Sequence, residues 1–159
     1  MYNTRSGRDQ PAVPADLFDR YFTEIHRYIA RRLPVDDADD LAAEVFLAAL
    51  RGGYDPAVGE VRPWLYGIAT NLVARHRRTE TTRWKALSRA AARDWDGHED
   101  PALKQRDRDV VLLIALGGLS HAEVASALDI PYGTVASRLN RARKHLRAAL
   151  GALKEDIDG

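Results

Sequence analysis

The sequence of 159 residues contains no cysteine and a single methionine. Without cysteine the chain has no disulfide bond, cysteine nucleophile or thiolate metal ligand, and it suits a reducing compartment. No apolar run reaches the roughly 20 residues that a membrane-spanning helix needs, so we expect no membrane insertion. Residues 1–14 are polar and predict a disordered tail rather than a signal peptide. Apolar residues make up 45% of the chain, enough to form hydrophobic cores.

The sequence also lacks an excess of charge, with 24 basic and 23 acidic residues. Their distribution is uneven. Residues 9–60 hold 11 acids and 5 bases, residues 62–93 hold 8 bases and one acid, and residues 104–154 hold 9 bases and 4 acids. Any single charged stretch is most simply explained as a solvated helix face. Two separated basic blocks, however, are what phosphate binding at two contact points requires.

Apolar residues recur at helical spacing along nearly the whole chain, and no strand pattern stands out. We therefore predict an all-α fold with two small helical domains joined by a linker, the second domain being a helix-turn-helix. Helices are predicted over 15–32, 36–50, 63–93, 110–116, 120–128 and 133–150. The predicted organisation is a tail 1–14, a first domain 15–93, a linker 94–103, a second domain 104–151 and a C-terminal tail 152–159.

The most detailed pattern is a helix-turn-helix between Gly118 and Arg147. Ser120 and Glu123 have the spacing of a capping box, which predicts a helix start. The segment Asp129-Ile130-Pro131 ends that helix, and a longer basic helix follows. Between Pro131 and Leu150 there are five Lys or Arg residues and no acid. In such motifs the second helix enters the major groove of DNA. Its predicted outward face holds Thr134, Ser137, Arg138, Arg141, Lys144 and His145. The alternative is an amphipathic bundle helix whose arginines serve solubility.

The first domain contains an acidic cluster at the start of its second helix, formed by Asp36, Asp37, Asp39, Asp40 and Glu44. Converging carboxylates bind divalent cations, but these lie on one helix and no second acidic element completes a cage. Helix capping accounts for the first two residues. Asp37, Asp40 and Glu44 also form a stripe suited to a basic partner surface.

The residue pattern of the third helix predicts a polar face opposite the apolar stripe. This face carries Thr70, Asn71, Arg75 and Arg78. Asparagine and arginine side chains reach base edges and phosphates. Tyr54, in the preceding Gly/Pro-rich loop, is available for stacking on a base. Trp64 lies on the core side, where burial is the expected fate of a tryptophan.

Together these segments resemble the bacterial RNA polymerase sigma factors of the extracytoplasmic-function (ECF) type. The segment Asp37-Ala38-Asp39-Asp40-Leu41-Ala42-Ala43-Glu44-Val45-Phe46 resembles that family's polymerase-binding helix. The segment Trp64-Leu65-Tyr66-Gly67-Ile68-Ala69-Thr70-Asn71-Leu72 resembles its promoter-opening helix. Residues 118–125 and 133–143 resemble its promoter-recognition motif. The resemblance extends from about Leu17 to Leu150.

The resemblance implies a promoter-specificity subunit that works in the cytoplasm, at the nucleoid when bound to polymerase. Its implied partners are core RNA polymerase (the β′ clamp helices and β flap), promoter DNA and an anti-sigma factor. The implied polymerase-binding residues are Asp37, Asp39, Asp40 and Glu44. The implied −10 residues are Tyr54, Thr70, Asn71, Arg75, Arg77 and Arg78, and the implied −35 residues are Thr134, Ser137, Arg138, Arg141 and Lys144. Ala43, Arg75 and Ala136 depart from residues common in the family.

Two other function classes, a stand-alone regulator and an enzyme, make different predictions about the residues. A stand-alone helix-turn-helix regulator with a helical dimerisation domain predicts a stable dimer and tight operator binding without polymerase. An enzyme is disfavoured, because the five histidines form no i, i+4 ligand pair and there is no P-loop, nucleophile elbow or Gly-rich dinucleotide turn. We therefore expect no catalytic residue, no metal and no cofactor.

Overall fold

The computed structural model describes residues 13–57, 59–88 and 104–158. These residues form six α-helices and no strand, which confirms the all-α prediction. The helices are α1 (Leu17–Ala30), α2 (Val35–Leu50), α3 (Val61–Ser88), α4 (Gln105–Ala115), α5 (His121–Leu128) and α6 (Tyr132–Asp158). The chain divides into two compact units, one ending at Val73 and the other beginning at Ala74, so α3 contributes to both. The predicted linker 94–103 and residues 1–12 of the predicted tail lie outside the described residues.

The core of the first unit is formed by the apolar faces of α1, α2 and the first half of α3. Ile25 and Ile29 of α1 are fully buried, as are Val45 of α2 and Leu65 and Val73 of α3. At one end the rings of Phe18, Phe22 and Phe46 meet with centroids 4.6 to 5.9 Å apart. Burial of aliphatic and aromatic side chains is the main force that holds these helices together.

Proline and glycine define the ends of helices where the sequence predicts them. Pro63 lies in the first turn of α3, where its missing N–H leaves no helical hydrogen bond unmade. Pro131 immediately precedes the first residue of α6, Tyr132. Gly118, between α4 and α5, has a φ of 64°, a left-handed conformation that glycine adopts without steric strain.

The helix-turn-helix is formed by α5 and α6 and packs against α4. Ser120 Oγ accepts from the Glu123 amide at 3.2 Å, and a Glu123 carboxylate oxygen accepts from the Ser120 amide at 3.1 Å. The predicted capping box is therefore confirmed. Asp129 ends α5 in the left-handed region with φ 52°, which aspartate tolerates better than most residues. Val110, Leu113, Val124, Val135, Leu139 and Ala142 form the core of this unit.

The last helix is longer than predicted. α6 continues to Asp158, whereas the apolar pattern places its end near Leu150 and a tail over 152–159. Only Gly151 interrupts a run of good helix formers from Ala148 to Glu155. The added turns carry Leu153 and Ile157 on exposed positions, so propensity and not packing maintains this segment.

Candidate nucleic-acid interface

A ladder of polar side chains joins α1 to the first half of α3 and sets the rotation of α3 about its axis. Glu24 and Tyr28 of α1, at i, i+4 spacing, contact Arg62, Tyr66 and Thr70 of α3, which recur at the same spacing. Arg32, two residues beyond the end of α1, extends the ladder by donating to Tyr28.

Glu24 occupies the first step of the ladder. Its carboxylate accepts from Arg62 Nε at 3.1 Å and from Tyr66 Oη at 2.9 Å. Arg62 Nη2 lies 3.0 Å from the same carboxylate, and its guanidinium lies over the Tyr66 ring. Burial, followed by the hydrogen bond to Glu24, raises the pKa of the Tyr66 hydroxyl well above its ordinary value. The hydroxyl therefore stays protonated and acts as a fixed donor.

The second step of the ladder corrects one sequence prediction. Thr70 is only 2% exposed, and its Oγ1 lies 2.9 Å from Tyr28 Oη, which also accepts from Arg32 Nη1 at 3.0 Å. Thr70 therefore does not lie on the exposed polar face where the sequence places it. It follows the buried Ala69 and precedes the exposed Asn71, so it lies at the edge of the core-facing stripe.

The rest of the predicted α3 face is exposed. Asn71, Arg75 and Arg78 follow one another at i, i+4 and i+7 and all lie in solvent. Arg77 is half-buried, and its Nη1 donates to Gln105 Oε1 at 3.4 Å. The structure thus brings three of the predicted α3 residues onto one line and leaves Thr70 and Arg77 off it.

The predicted loop aromatic is partly covered. Tyr54 is half-buried, and its ring centroid lies 5.2 Å from that of Trp64 at an interplanar angle of 42°. Trp64 is half-buried as well and does not enter the core. The two rings form an aromatic pair beside the N-terminus of α3.

The acidic residues of α2 differ in their surroundings. Asp40 and Glu44 are exposed on adjacent turns. Asp39 Oδ1 contacts His26 Nε2 of α1, and Asp37 is half-buried. The structure therefore leaves Asp40 and Glu44 as the predicted acids most open to a partner, while Asp39 takes part in a contact between α1 and α2.

The second basic surface lies on α6. Ser137 and Lys144 are exposed, and Thr134 and Arg138 are half-buried. Ser137 Oγ donates to the Thr134 carbonyl at 3.1 Å, an intrahelical bond that leaves the hydroxyl oxygen able to accept from a ligand. α6 carries no acid between Pro131 and Leu150, so Arg138 and Lys144 give this face a positive potential.

Arg141 has a partner that the sequence pattern does not predict. Its guanidinium is held by Asp107 of α4, with Nε donating to Oδ2 at 3.3 Å and Nη2 donating to Oδ1 at 3.2 Å. The Asp107 side chain is 3% exposed and that of Arg141 is 53% exposed. An acid in the first turn of α4 has a local explanation as a helix-dipole partner, so nothing in the sequence pattern points to a residue 34 positions away.

Within residues 13–57, 59–88 and 104–158, no three His, Cys, Asp or Glu side chains gather in a way that could hold a metal ion. None of the helices in this part of the chain is both long enough and apolar enough to cross a bilayer.

Comparison with known families matches both halves of the chain. Residues 17–83 match the family model of sigma-70 region 2, and residues 101–146 match that of sigma-70 region 4. The chain is 34% identical over 154 residues to the ECF RNA polymerase sigma factor SigC of Mycobacterium tuberculosis, covering 86% of this chain and 81% of that protein. It is 31% identical to the ECF RNA polymerase sigma-E factor of Escherichia coli, covering 80% and 81%.

Solved structures with similar folds include CnrH in complex with the cytosolic domain of CnrY. That comparison has a TM-score of 0.62 and 26% identity, and it covers 86% of each chain. The sigma factor RpoE of Bartonella quintana, solved with the anti-sigma factor NepR, has a TM-score of 0.63, 20% identity and coverage of 84% and 94%. The second similarity supports the fold alone.

Proposed function

The chain belongs to the sigma-70 family of bacterial RNA polymerase sigma factors, within its ECF type, and from this premise we propose how it selects and opens promoters. As a promoter-specificity subunit it supplies recognition, while core polymerase supplies catalysis. We propose that α6 reads the −35 element as duplex and that α3 and the preceding loop bind and open the −10 element. The observation that carries the proposal is the helix-turn-helix itself: α5 begins with a capping box, and α6, which follows it, has a basic face without acids.

The −35 element is proposed to lie against the N-terminal half of α6. In this proposal Arg138 and Arg141 donate to guanine N7 and O6, a contact that discriminates by about 1–3 kcal/mol. Thr134 lies one turn before Arg138 and Ser137 lies one turn before Arg141, while Lys144 lies further along, where it suits a phosphate. A helix that enters the groove by its N-terminal half brings these side chains to the DNA in that order.

The −10 element is proposed to follow the exposed line of Asn71, Arg75 and Arg78. The two arginines suit phosphates of a separated strand, and Asn71 suits a base edge. A base flipped out of the stack costs a few kcal/mol, which stacking on Tyr54 beside Trp64 offsets by about 1–3 kcal/mol. Holding one base outside the duplex keeps the strands apart.

The polymerase contact is proposed to lie on α2, with Asp40 and Glu44 against basic residues of the β′ clamp helices. Both carboxylates are exposed one turn apart, so they form one acidic stripe. The second unit is proposed to contact the β flap. This division of partners agrees with the charge distribution, because the acids concentrate in residues 9–60 and the bases follow.

An anti-sigma factor is a further proposed partner, since the similar CnrH was solved with the cytosolic domain of CnrY. We propose that the chain acts in the cytoplasm, where polymerase and the nucleoid are present.

The test is run-off transcription with core polymerase from the source bacterium, followed by sequencing of bound promoters. We expect a small set of promoters with shared −35 and −10 elements, transcribed only when this chain is added. The absence of promoter-dependent transcripts with an active core would overturn the proposal. A stable dimer by light scattering with tight operator binding in the absence of core would instead favour the stand-alone regulator.

The α2 contact has its own test in Glu44→Lys. The charge reversal places a cation on the acidic stripe, so we expect core binding to weaken by about tenfold or more. Asp19→Lys is the matched control, because Asp19 is an equally exposed acid of the same unit that lies on α1. The affinity of each variant for core is measured by fluorescence anisotropy. Equal losses in the two variants would contradict a specific role for α2.

A further inference from the structure

The arrangement of Arg141 is unusual for a residue expected to bind DNA. Its guanidinium makes two side-by-side contacts with the Asp107 carboxylate, at 3.3 and 3.2 Å. Such paired contacts fix both the position and the plane of the guanidinium. Arg141 nevertheless remains 53% exposed, so its outer edge still faces solvent.

Asp107 is held rigidly on its own helix. It lies in the first turn of α4, and its amide donates to the Lys104 carbonyl at 3.0 Å. Three residues later Val110 is fully buried in the core, which fixes the backbone of α4 at this turn. A carboxylate that is 3% exposed needs a charged partner, and Arg141 supplies it.

The contact changes what Arg141 can offer to DNA. A guanidinium has five N–H groups, and Nε and Nη2 each direct one toward Asp107. The remaining three lie on its outer edges, where they can still donate to a base. The pair as a whole carries no net charge, so it attracts phosphate far less than a lone arginine does. Among the described residues no ion pair involves Arg138 or Lys144, and these two keep their full charge toward the DNA.

We propose that Asp107 is a positioning residue for promoter recognition. It holds the Arg141 guanidinium in one plane and cancels its charge, so that Arg141 discriminates between bases and adds little to general DNA affinity. This inference rests on the proposed −35 role of α6 and extends it to a residue of α4 that does not itself touch DNA.

The first test is the salt dependence of binding by the full chain with Asp107→Asn. Removal of the carboxylate frees the charge of Arg141 for a phosphate. On a mixed-sequence duplex of about 20 base pairs, we expect the plot of log affinity against log salt to steepen by about 0.9, the value for one added phosphate contact. Asp109→Asn is the matched control. It removes a carboxylate of the same helix, also largely buried, which accepts from Gln105 on α4 itself.

The second test is specificity, measured in holoenzyme with the −35 sequence found by promoter sequencing. With Asp107→Asn we expect the ratio of affinities for the correct and the base-substituted −35 element to fall by about tenfold, since a mobile guanidinium no longer pairs with one base. With Asp109→Asn the ratio should not change. Circular dichroism verifies that each variant is folded.

The double variant Asp107→Asn with Arg141→Gln keeps the net charge of the wild type and leaves two amides that can still pair. It should lose the same specificity while its salt dependence stays as in the wild type. If Asp107→Asn fails to fold, the salt dependence of this double variant decides the matter, because the inference requires that Arg141 adds no phosphate contact while Asp107 is present. Salt dependence and specificity equal to those of Asp109→Asn would overturn the inference. Failure of the wild-type chain to direct transcription would overturn the proposed function. The salt measurement uses the free chain and a mixed-sequence duplex, so its result is independent of the transcription assay.

Discussion

At the scale of single residues, the first unit depends on one carboxylate that serves two donors. Glu24 accepts from Arg62 and from Tyr66, and both partners lie on α3. The Glu24 and Arg62 side chains are each 30% exposed, so water screens their attraction only in part. This ladder sets which face of α3 points to solvent, and so it places Asn71, Arg75 and Arg78 outward.

Loss of the Glu24 charge should destabilise the fold. For Glu24→Gln we expect the free energy of unfolding to fall by about 2 kcal/mol, because a charge-assisted pair becomes a weaker neutral one. Glu80→Gln is the control, since Glu80 pairs with Arg83 on an exposed surface and should cost less than about 0.5 kcal/mol. Urea unfolding followed by circular dichroism measures both. Equal effects would contradict the role assigned to the ladder.

The raised pKa of Tyr66 predicts a loss of stability in alkali. In the unfolded chain Tyr66 ionises near pH 10, while the folded chain keeps its proton to higher pH. The unfolded state therefore binds fewer protons above pH 10, and the free energy of unfolding falls as pH rises, by at most about 1.4 kcal/mol per pH unit. Below that pH the contribution is fully present.

The Tyr66 contribution can be separated by comparing two variants between about pH 9 and pH 11. Tyr66→Phe should flatten the fall of unfolding free energy with pH. Tyr132→Phe, which changes a tyrosine that is 59% exposed, should leave the wild-type slope. A wild-type slope in Tyr66→Phe would show that burial of this hydroxyl does not control the alkaline transition.

At the scale of elements, the short helix α5 owes its start to its cap. A helix of eight residues is marginal alone, and only Val124 of α5 is fully buried in the core. The reciprocal bonds between Ser120 and Glu123 satisfy backbone donors that the first turn leaves unpaired. By stabilising the first turn of α5, the capping box also helps to fix the turn at Asp129 and the first residues of α6.

Removal of the cap should loosen α5. For Ser120→Ala we expect a loss of about 1 kcal/mol in unfolding free energy and faster hydrogen exchange at the Glu123 amide. Ser126→Ala, at an exposed position within α5, is the control and should be neutral or slightly stabilising. If the Glu123 amide exchanges equally in both variants, the cap does not determine the stability of α5.

At the scale of the whole molecule, the near-zero net charge is the sum of an acidic front and two basic blocks. A uniformly basic chain binds any DNA, because phosphate neutralisation carries no sequence information. In the function proposed above, this chain divides its charge between core polymerase and DNA. Two weak DNA contacts on one chain become strong together only when a partner holds both at the spacing of the promoter.

The expected consequence is weak binding by the free chain. At equal salt, we expect free protein to bind a promoter fragment at least about 100-fold more weakly than the complex with core polymerase does. Fluorescence anisotropy on the same labelled fragment measures both affinities, with core polymerase alone as the control. Equal affinities of free protein and complex would contradict this account.

The sequence by itself determined the local features. Helical spacing, Pro63 and Pro131 near the starts of helices, and the capping box of α5 all depend on neighbours within one or two turns, and the structure agrees with them. The all-α fold and the ECF sigma family followed from these local motifs and their order.

Tertiary structure decided which polar residues face inward and which charges are paired. Periodicity fixes the angle of a side chain around its own helix, but at the edge of the apolar stripe the neighbouring helix decides its burial, as Tyr28 does for Thr70. The ion pair of Asp107 with Arg141 and the contact of His26 with Asp39 join separate helices. Contacts between residues far apart in sequence depend on how helices cross, and local periodicity carries no information about that crossing.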